Sequence, residues 1–174
     1  MDIAENRPRV LVSAASGHGS TTEIARVIGD TLADNGIAVD MVPPAVVDFI
    51  DDYDAVILGS AVYGGRWLGP ATDFAIRFRD SLAIRPVWLF SSGPVGGLPS
   101  ESDPVEVTRI RQAFPVCGHQ VFSGKLDPRA LSVTQRASVA VFHPRMPGDF
   151  RDWDAITEWA DGIAAVVTAM VAKS

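Results

Sequence analysis

Apolar runs and amphipathic stretches alternate along the whole chain. Five short runs predict strands, since continuous apolar residues are typical of a parallel sheet that is covered on both faces. They are Arg9–Ala14, Ile37–Val42, Asp54–Gly59, Pro86–Ser91 and Gln120–Ser123. Longer stretches between them show helical periodicity. Strands that alternate with helices in this way predict one doubly wound α/β domain with right-handed crossovers and helices on both faces of the sheet.

The helical stretches differ in the clarity of their pattern. The first begins after the polar residues 16–21 and ends at Asn35-Gly36, a typical stop signal. Its apolar positions fall at 3.6-residue spacing: Ile24, Val27, Ile28 and Leu32. A second, at Pro70–Asp80, is only imperfectly amphipathic, with Phe74, Ile76 and Phe78 as its apolar residues. A third is predicted at Val105–Phe114.

The last helix is predicted at Asp152–Met170. Asp152 and Asp154 would lie at its N-terminus, where acidic side chains are favourable. Six residues share one predicted apolar face: Ile156, Trp159, Ile163, Val166, Val167 and Met170. We therefore expect that face to pack on the sheet.

Three polar, glycine-containing loops follow the first, third and fourth predicted strands: Ser16–Thr21, Ser60–Trp67 and Ser92–Asp103. In doubly wound sheets, ligands bind outside the carboxyl ends of the strands, where the strand order reverses. The third loop is also long for a compact domain, and such loops are more often functional than idle. The sequence therefore predicts a binding site built from these loops.

The first of these loops has the composition of an anion site. Ser16–Thr21 supplies three hydroxyls, two glycines and backbone N–H groups directly before a helix N-terminus. The nearest cation in sequence is Arg26, so a phosphate would be bound by neutral donors. A Walker loop is excluded because no Lys follows the second glycine.

Other interpretations of the same loop stay open. Ser20 and Glu23 match a capping box, in which case the loop would be only a turn. A dinucleotide fingerprint fits less well, because the third glycine is absent. We interpret His18 as an exposed loop residue; the alternatives are that it donates a hydrogen bond to a phosphate or serves as a pH-sensitive group.

Composition narrows the possible partners and locations. The chain has 174 residues and a formal charge of −6 without a basic cluster, so nucleic acid and anionic membranes are poor candidates. Cys117 is the only cysteine, which excludes an internal disulfide and multi-cysteine metal sites, and we expect it to be a small packed residue. This cysteine usage fits a reducing cytoplasm, and since neither an apolar leader nor a bilayer-length run is present, we expect a cytoplasmic protein without stable membrane insertion. Residues 1–8 would form a tail and 9–174 a single domain.

The loop residues resemble a known family. Flavodoxins carry the phosphate-loop pattern T/S-x-T-G-x-T, and Ser16-Gly17-His18-Gly19-Ser20-Thr21 matches it except at His18. The resemblance is nearest to the flavodoxin-domain proteins that include the menaquinone-dependent protoporphyrinogen oxidases, over Val10–Thr21, Tyr53–Trp67 and Gly148–Ile163. Gly124-Lys125-Leu126 and Asp152-Trp153 also resemble motifs of that group.

This resemblance implies strand order 2-1-3-4-5 and a bound FMN. Its phosphate would lie on residues 16–21 and its ring between residues 60–67 and 92–97. The implied cofactor-binding residues are Ser16, Gly17, His18, Gly19, Ser20, Thr21, Ala61, Val62, Tyr63, Gly64, Trp67, Ser92, Gly93, Pro94, Val95 and Gly96. Tyr63 and Trp67 could each offer a flat face to the ring or pack for area alone. Gly64 and Gly65 could turn a peptide toward the flavin.

Two functions follow from the resemblance. One is electron transfer through FMN to a redox partner protein or from a small-molecule donor or acceptor. The alternative is a flavoenzyme that oxidises a bound porphyrinogen or quinone, for which the proton-handling candidates are His18, His119, His143 and Tyr63, none of them compelling. A related deazaflavin could occupy the same site. A phospho-receiver domain is excluded because the first and third strands end without carboxylates.

Overall fold

A parallel sheet forms the centre of the molecule. The computed structural model describes residues 7–93, 103–126, 133 and 148–173. In chain order its elements are β1 (Arg9–Ala15), α1 (Ser20–Asp34), β2 (Ala38–Met41), β3 (Ala55–Tyr63), β4 (Arg66–Trp67), α2 (Gly69–Arg77), α3 (Arg79–Ala83), β5 (Val87–Ser92), α4 (Val105–Ala113), β6 (Gly118–Phe122), β7 (Lys125–Leu126), β8 (Gly148–Asp149) and α5 (Trp153–Val171).

The order of the parallel strands is β2-β1-β3-β5-β6, with the short β4 paired antiparallel to β3. Counting the parallel strands alone gives the predicted order 2-1-3-4-5, which is confirmed. Strand β1 lies between β2 and β3, so Val12 is opposite Met41 on one side and Ile57 on the other. The order therefore reverses at β1 and β3, which is where a doubly wound sheet binds ligands.

Two apolar layers cover the sheet. Val10 and Val12 pack against α1 and α5, whereas Leu11 faces the opposite layer, which includes residues of α2 and α4. The side chains of β1 alternate between the layers because successive residues of a strand point to opposite faces. Side chains on both faces of the central strands are buried, and this explains the continuous apolar sequences of these strands.

The helix predictions are confirmed in part. Helix α1 buries Ile24, Ile28 and Leu32 as expected, but the stretch after β4 forms two helices, α2 and α3, divided at Phe78. Ile76 is 70% exposed and does not belong to the core. Ile76 follows the buried Phe74 by two residues, and side chains two residues apart point to opposite sides of a helix.

Helix α5 begins where predicted, because the Asp152 carboxylate accepts a hydrogen bond from the Ala155 backbone N–H at 3.0 Å. Its packed face is narrower than predicted. Val166 and Met170 are 41% and 42% exposed, whereas Ala160 and Ala164 are buried. The small alanines allow α5 to approach its neighbour closely, so the contact stripe runs through them. No helix among the described residues is long and apolar enough to span a bilayer.

Two further sequence predictions were wrong, one on the end of the third predicted strand and one on the burial of Cys117. Strand β3 does not end at Gly59 but continues to Tyr63 and turns at Gly64-Gly65 into β4, so Ser60–Trp67 is a β-hairpin. Both turn glycines have positive φ, 57° and 75°, as a two-residue type I′ turn requires. Cys117 is exposed rather than packed, because it directly precedes β6 at the edge of the sheet.

Candidate functional site

The carboxyl ends of β1, β3 and β5 meet at one edge of the sheet. Ala15 is opposite Ser60, and Ala61 is opposite Ser92. The loop after β1 also reaches the hairpin, since a Cβ on Gly17 would lie 3.1 Å from the Tyr63 hydroxyl. The structure therefore brings together the described parts of the three predicted loops.

The loop between β1 and α1 is preorganised. The Ser16 hydroxyl accepts a hydrogen bond from the Gly19 backbone N–H at 2.9 Å, which closes the loop on itself. Gly19 occupies the N-cap position of α1 with φ 86°, a conformation that L side chains rarely adopt. The N–H groups of the first helical turn then have no partner in a preceding turn, and they face the space outside the sheet edge.

Hydroxyls accompany these backbone donors. Thr21 lies in the first turn of α1 and is 1% exposed, while Ser16 and Ser20 are half-buried. Hydroxyl and backbone donors at a helix N-terminus are a suitable environment for an anion. His18 is exposed in the same loop, as predicted, and its ring stands edge-on to Tyr63 at 6.1 Å between centroids.

The capping box, left open as an alternative for this helix, does not form. Helix α1 has no side-chain cap, since Gly19 is the N-cap residue and Ser20 is already helical. The Ser20 hydroxyl instead accepts a hydrogen bond from the Lys125 backbone N–H at 3.2 Å. Glu23 forms an ion pair with Arg151. Both candidate capping side chains thus hold distant segments against the loop.

These distant segments bring basic residues that spacing alone could not locate. Lys125 on β7 lies opposite Asp149 on β8. The Arg151 side chain is 3% exposed and contacts Glu23, Asp149 and the ring of Trp153. Hydrogen bonds from Arg151 lower the pKa of the Asp149 carboxyl below its ordinary value. Arg151 is therefore neutralised by two carboxylates, and it serves to attach β8 to α1.

The hairpin presents one aromatic side chain at its surface. Tyr63 is 46% exposed at the end of β3, beside Gly17. Partial burial raises the pKa of the Tyr63 phenol, so its hydroxyl stays protonated at neutral pH. Tyr63 therefore offers both a ring face and a hydrogen-bond donor next to the loop of residues 16–19.

The second aromatic, Trp67, lies inside the molecule. It is 5% exposed, and its indole N–H donates to the Ser91 hydroxyl at 2.8 Å. Its backbone N–H donates to the Glu106 carboxylate at 3.0 Å. These contacts favour the interpretation of Trp67 as a packed residue at the base of the hairpin, while its prediction as a flavin contact stays a prediction.

Glu106 is a buried carboxylate that holds the hairpin from α4. Its side chain is 5% exposed and pairs with Arg66 at 2.8 Å. Burial alone would raise the pKa of the Glu106 carboxyl, but hydrogen bonds from backbone N–H groups and the charge of Arg66 lower it below its ordinary value. Ser60 adds a third attachment, because its hydroxyl accepts from the Leu68 N–H at 2.9 Å.

A Ser on β5, a His on β6 and an Asp before α4 also lie close together. His119 lies 2.8 Å from the Ser91 hydroxyl and 3.1 Å from the Asp103 carboxylate. The arrangement has the contacts of a catalytic triad, but Ser91 is 1% exposed and accepts from Trp67. A nucleophile must reach its substrate, so this group is structural in character.

The remaining predicted residues differ in what the structure describes. Ser92 and Gly93 are buried, and the Gly93 N–H donates to the Phe122 carbonyl at 2.9 Å. Gly93 also approaches the hairpin, because a Cβ there would lie 3.4 Å from the Val62 carbonyl oxygen. Pro94, Val95, Gly96 and His143 lie outside the described residues.

Comparisons with solved structures agree with this fold. A flavodoxin from the domain Archaea superposes with TM-score 0.61 at 16% identity, over 91% of this chain and 98% of that one. The Streptococcus pneumonia TIGR4 flavodoxin gives 0.60 at 21% identity, over 90% and 98%. The metal-soaked Flv1 flavodiiron core from Synechocystis sp. PCC6803 gives 0.64 at 16% identity, over 98% of this chain but 37% of that one.

The comparison with protein families covers most of the chain. No curated protein matches the sequence. The flavodoxin domain family matches residues 11–152, from β1 to the N-cap of α5. This span includes the loop of residues 16–19, the hairpin and the described part of the loop after β5, and the chain therefore belongs to the flavodoxin domain family.

Proposed function

We propose that this domain binds FMN and transfers electrons through it. The observation that carries the proposal is the closed loop of residues 16–19 at the N-terminus of α1, directly beside the exposed ring of Tyr63. A loop that binds a terminal phosphate and an aromatic face next to it are the two features that a flavin mononucleotide needs. The chain belongs to the flavodoxin domain family, and solved flavodoxin structures share its fold.

The residues present fit the phosphate of FMN. Ser16 and Ser20 accept hydrogen bonds from backbone N–H groups, which leaves their hydroxyl hydrogens available to donate. Thr21 adds a third hydroxyl in the first helical turn, where unpaired N–H groups and the helix dipole favour a dianion. The donors are neutral, so selectivity for a phosphate would come from geometry rather than from a basic side chain.

The hairpin fits the ring. In the proposal, Tyr63 covers one side of the isoalloxazine, and the peptides at Gly64 and Gly65 lie near its edge. When bound, FMN would supply the one-electron chemistry. The protein orients the cofactor, limits its access to water and leaves an edge open to a redox partner protein or a small-molecule donor or acceptor.

Oxidation of a bound porphyrinogen or quinone is not favoured by the site. His119, one of the proton-handling candidates, is 2% exposed and engaged on both ring nitrogens. Among the described residues, only His18 and Tyr63 of those candidates reach the surface of the site. An electron carrier requires no proton-handling residue, so it accounts for the site with fewer assumptions.

Reconstitution tests the proposal directly. Apoprotein mixed with FMN and passed through a desalting column should retain the flavin absorption bands, which should bleach under dithionite without oxygen and return on oxidation. The double variant Ser16→Ala/Thr21→Ala should lose the bands in the same procedure. A colourless wild-type protein after desalting, at FMN concentrations well above micromolar, would refute the proposed function.

A further inference from the structure

A chain of hydrogen bonds joins the hairpin to β6 and to the segment before α4; it is buried at Trp67, Ser91 and the His119 side chain, and exposed at Asp103. The Trp67 indole N–H lies 2.8 Å from the Ser91 hydroxyl, which lies 2.8 Å from His119 Nε2. His119 Nδ1 lies 3.1 Å from the Asp103 carboxylate. We propose that Ser91 and His119 are positioning residues, which hold Trp67, and with it the hairpin that carries Tyr63, in the flavin-binding conformation only while His119 is neutral. This inference rests on the proposed function.

The direction of each hydrogen bond follows from its partners. The Asp103 carboxylate can only accept, so His119 carries its proton on Nδ1 and donates it to Asp103. His119 Nε2 is then a lone pair that accepts from the Ser91 O–H. The Ser91 oxygen in turn accepts from the Trp67 indole, which can only donate. In this single arrangement, each donor and acceptor of the four-residue hydrogen-bond chain has a partner.

A second proton on His119 disrupts that arrangement. Nε2 would become a donor, so Ser91 would face donors from both His119 and Trp67. The Ser91 hydroxyl hydrogen then has no acceptor in this chain, and Ser91 is 1% exposed, so water cannot replace it easily. A buried polar group without a partner is costly. Relief requires Ser91 to rotate or Trp67 to withdraw.

The charged groups around His119 influence the pH at which it takes up this second proton. Asp103 and Arg111 face it from the segment before α4 and from α4 itself, and they pair with each other at 2.8 Å. Burial lowers the pKa of His119, Asp103 opposes this, and Arg111 lowers the pKa further, with a net decrease from the ordinary 6.5. The Glu106 carboxylate of α4 accepts a hydrogen bond from the Trp67 backbone N–H and does not bond to His119. The lowered pKa favours the neutral form of His119 at pH 7, and the midpoint of its protonation lies below the ordinary 6.5.

Movement at Trp67 would reach the site through the strand pairing. Trp67 is opposite Val62, and Arg66 is opposite Tyr63. The hairpin has a two-residue turn, so a shift of β4 cannot be absorbed by a long loop before it reaches Tyr63. The indole bond to Ser91 thus acts on the position of Tyr63.

The hydrogen-bond chain can be tested in the apoprotein, without FMN. The protein has four tryptophans, so a ¹⁵N correlation spectrum contains few indole N–H signals, and the Trp67 signal is identified by its loss in Trp67→Phe. We expect this signal to shift as the pH falls from 7.5 to 5, with a midpoint below 6.5. His119→Gln keeps an acceptor near the Nε2 position but cannot titrate, and should abolish the shift. His18→Gln, the matched control in the exposed loop, should retain it.

The coupling to the cofactor is tested by FMN affinity over the same pH range. Acidification should weaken wild-type binding by about two- to tenfold more than it weakens His119→Gln, the effect of about one hydrogen bond. Protonation of the FMN phosphate affects both proteins equally, so the difference isolates His119. Ser91→Ala breaks the chain by a second route and should also remove the difference.

The outcomes separate the two claims. If wild-type protein fails to bind FMN at pH 7.5, the proposed function fails, and the Trp67 titration still reports on the hydrogen-bond chain. If FMN binds but the pH profiles of wild type and His119→Gln superimpose, the positioning role is refuted. A Trp67 signal that titrates unchanged in both His119→Gln and Ser91→Ala would also refute it.

Discussion

Single residues at the loop before α1 shape this edge of the sheet. Gly19 takes the N-cap position with a positive φ, and Ser16 closes the loop by accepting its N–H. The hydroxyls of Ser16, Ser20 and Thr21 are therefore fixed around the helix N-terminus before any ligand arrives. Preorganisation of this kind lowers the entropic cost of binding.

Thr21 should contribute directly to phosphate binding. A hydrogen bond to a charged group contributes about 1.5–3 kcal/mol, so Thr21→Ala should weaken FMN binding by about ten- to a hundredfold. Calorimetric titration of FMN measures the change. Thr157→Ala on α5, whose hydroxyl bonds to the Trp153 carbonyl in its own helix, is the matched control and should leave affinity unchanged. An unchanged Kd with a lower Tm would show that Thr21 serves only the helix.

Tyr63 and Trp67 should separate into a binding and a folding role. Tyr63→Ala removes an exposed ring and should weaken FMN binding by about two- to tenfold, the effect of about 0.5–1.5 kcal/mol from an aromatic contact. It should also raise the potential of the second electron, because an apolar wall disfavours charge on the reduced flavin. Trp67→Ala creates a cavity in the core and should destabilise the fold by about 3–5 kcal/mol.

Potentiometric titration and urea unfolding of the two variants test this separation. If Tyr63→Ala changes neither Kd nor either one-electron potential, the hairpin is not the flavin wall. If Trp67→Ala keeps wild-type stability but loses FMN, the indole contacts the cofactor and the interpretation as a packed residue fails.

Some residue roles could be predicted from sequence and others could not. The start of α1 after the loop of residues 16–19 could be predicted because its glycine and hydroxyl pattern is local, whereas phosphate binding there stays a prediction. Cys117 was misjudged because the general tendency of free cysteines to be buried was applied to a residue that directly precedes the edge strand β6. The contact of Lys125 with Ser20 joins residues that are 105 positions apart, and no local pattern indicates it.

At the scale of elements, the β3–β4 hairpin is held at its base and exposed at its tip. Glu106 of α4 and Ser91 of β5 each bind Trp67 by a hydrogen bond, and Ser60 at the start of the hairpin accepts from the Leu68 N–H just beyond its end. The turn glycines lie in open space, with nothing within 4 Å of an added Cβ. The base therefore fixes Tyr63, while the tip is free to approach a ligand or a redox partner.

Glu106 should make the hairpin sensitive to acid. Its carboxyl has a lowered pKa in the folded state, so the stability it contributes is present above its unfolded pKa and is lost as the pH falls through the lower folded value. Glu106→Gln should cost about 1.5–3 kcal/mol at pH 7, the range for hydrogen bonds to a charged group, and less at pH 3. Urea unfolding at both pH values measures this. An equal loss at both pH values would show that charge on Glu106 is irrelevant.

Sequence patterns located the elements better than their ends. Val56, Ile57 and Leu58 predict a buried strand, but the extension of β3 through Ser60 and Ala61 depends on pairing with Ser91 and Ser92 of β5. Polar and small residues can continue a strand when both neighbours supply ladder hydrogen bonds. The glycine-rich composition of residues 60–67 therefore indicated a turn correctly but overestimated its length.

At the scale of the whole molecule, the strand order creates the site. The reversal between β1 and β3 separates the crossovers to opposite faces and leaves a crevice at their carboxyl ends. The alternation of strands and helices predicted a doubly wound sheet, and the order itself was implied by the resemblance to flavodoxins. The hydrogen-bond chain from Asp103 to Trp67 was not predictable, since it requires four segments to meet after the sheet is assembled.

The central claim is that the loop of residues 16–21 anchors a flavin by its phosphate. Calorimetric titration of the apoprotein with FMN and with riboflavin, which lacks only the phosphate, tests it most directly. Several neutral donors on a dianion should make FMN bind at least about a hundredfold more tightly than riboflavin. Equal affinity for the two ligands would show that the phosphate contributes nothing, and it would contradict the account.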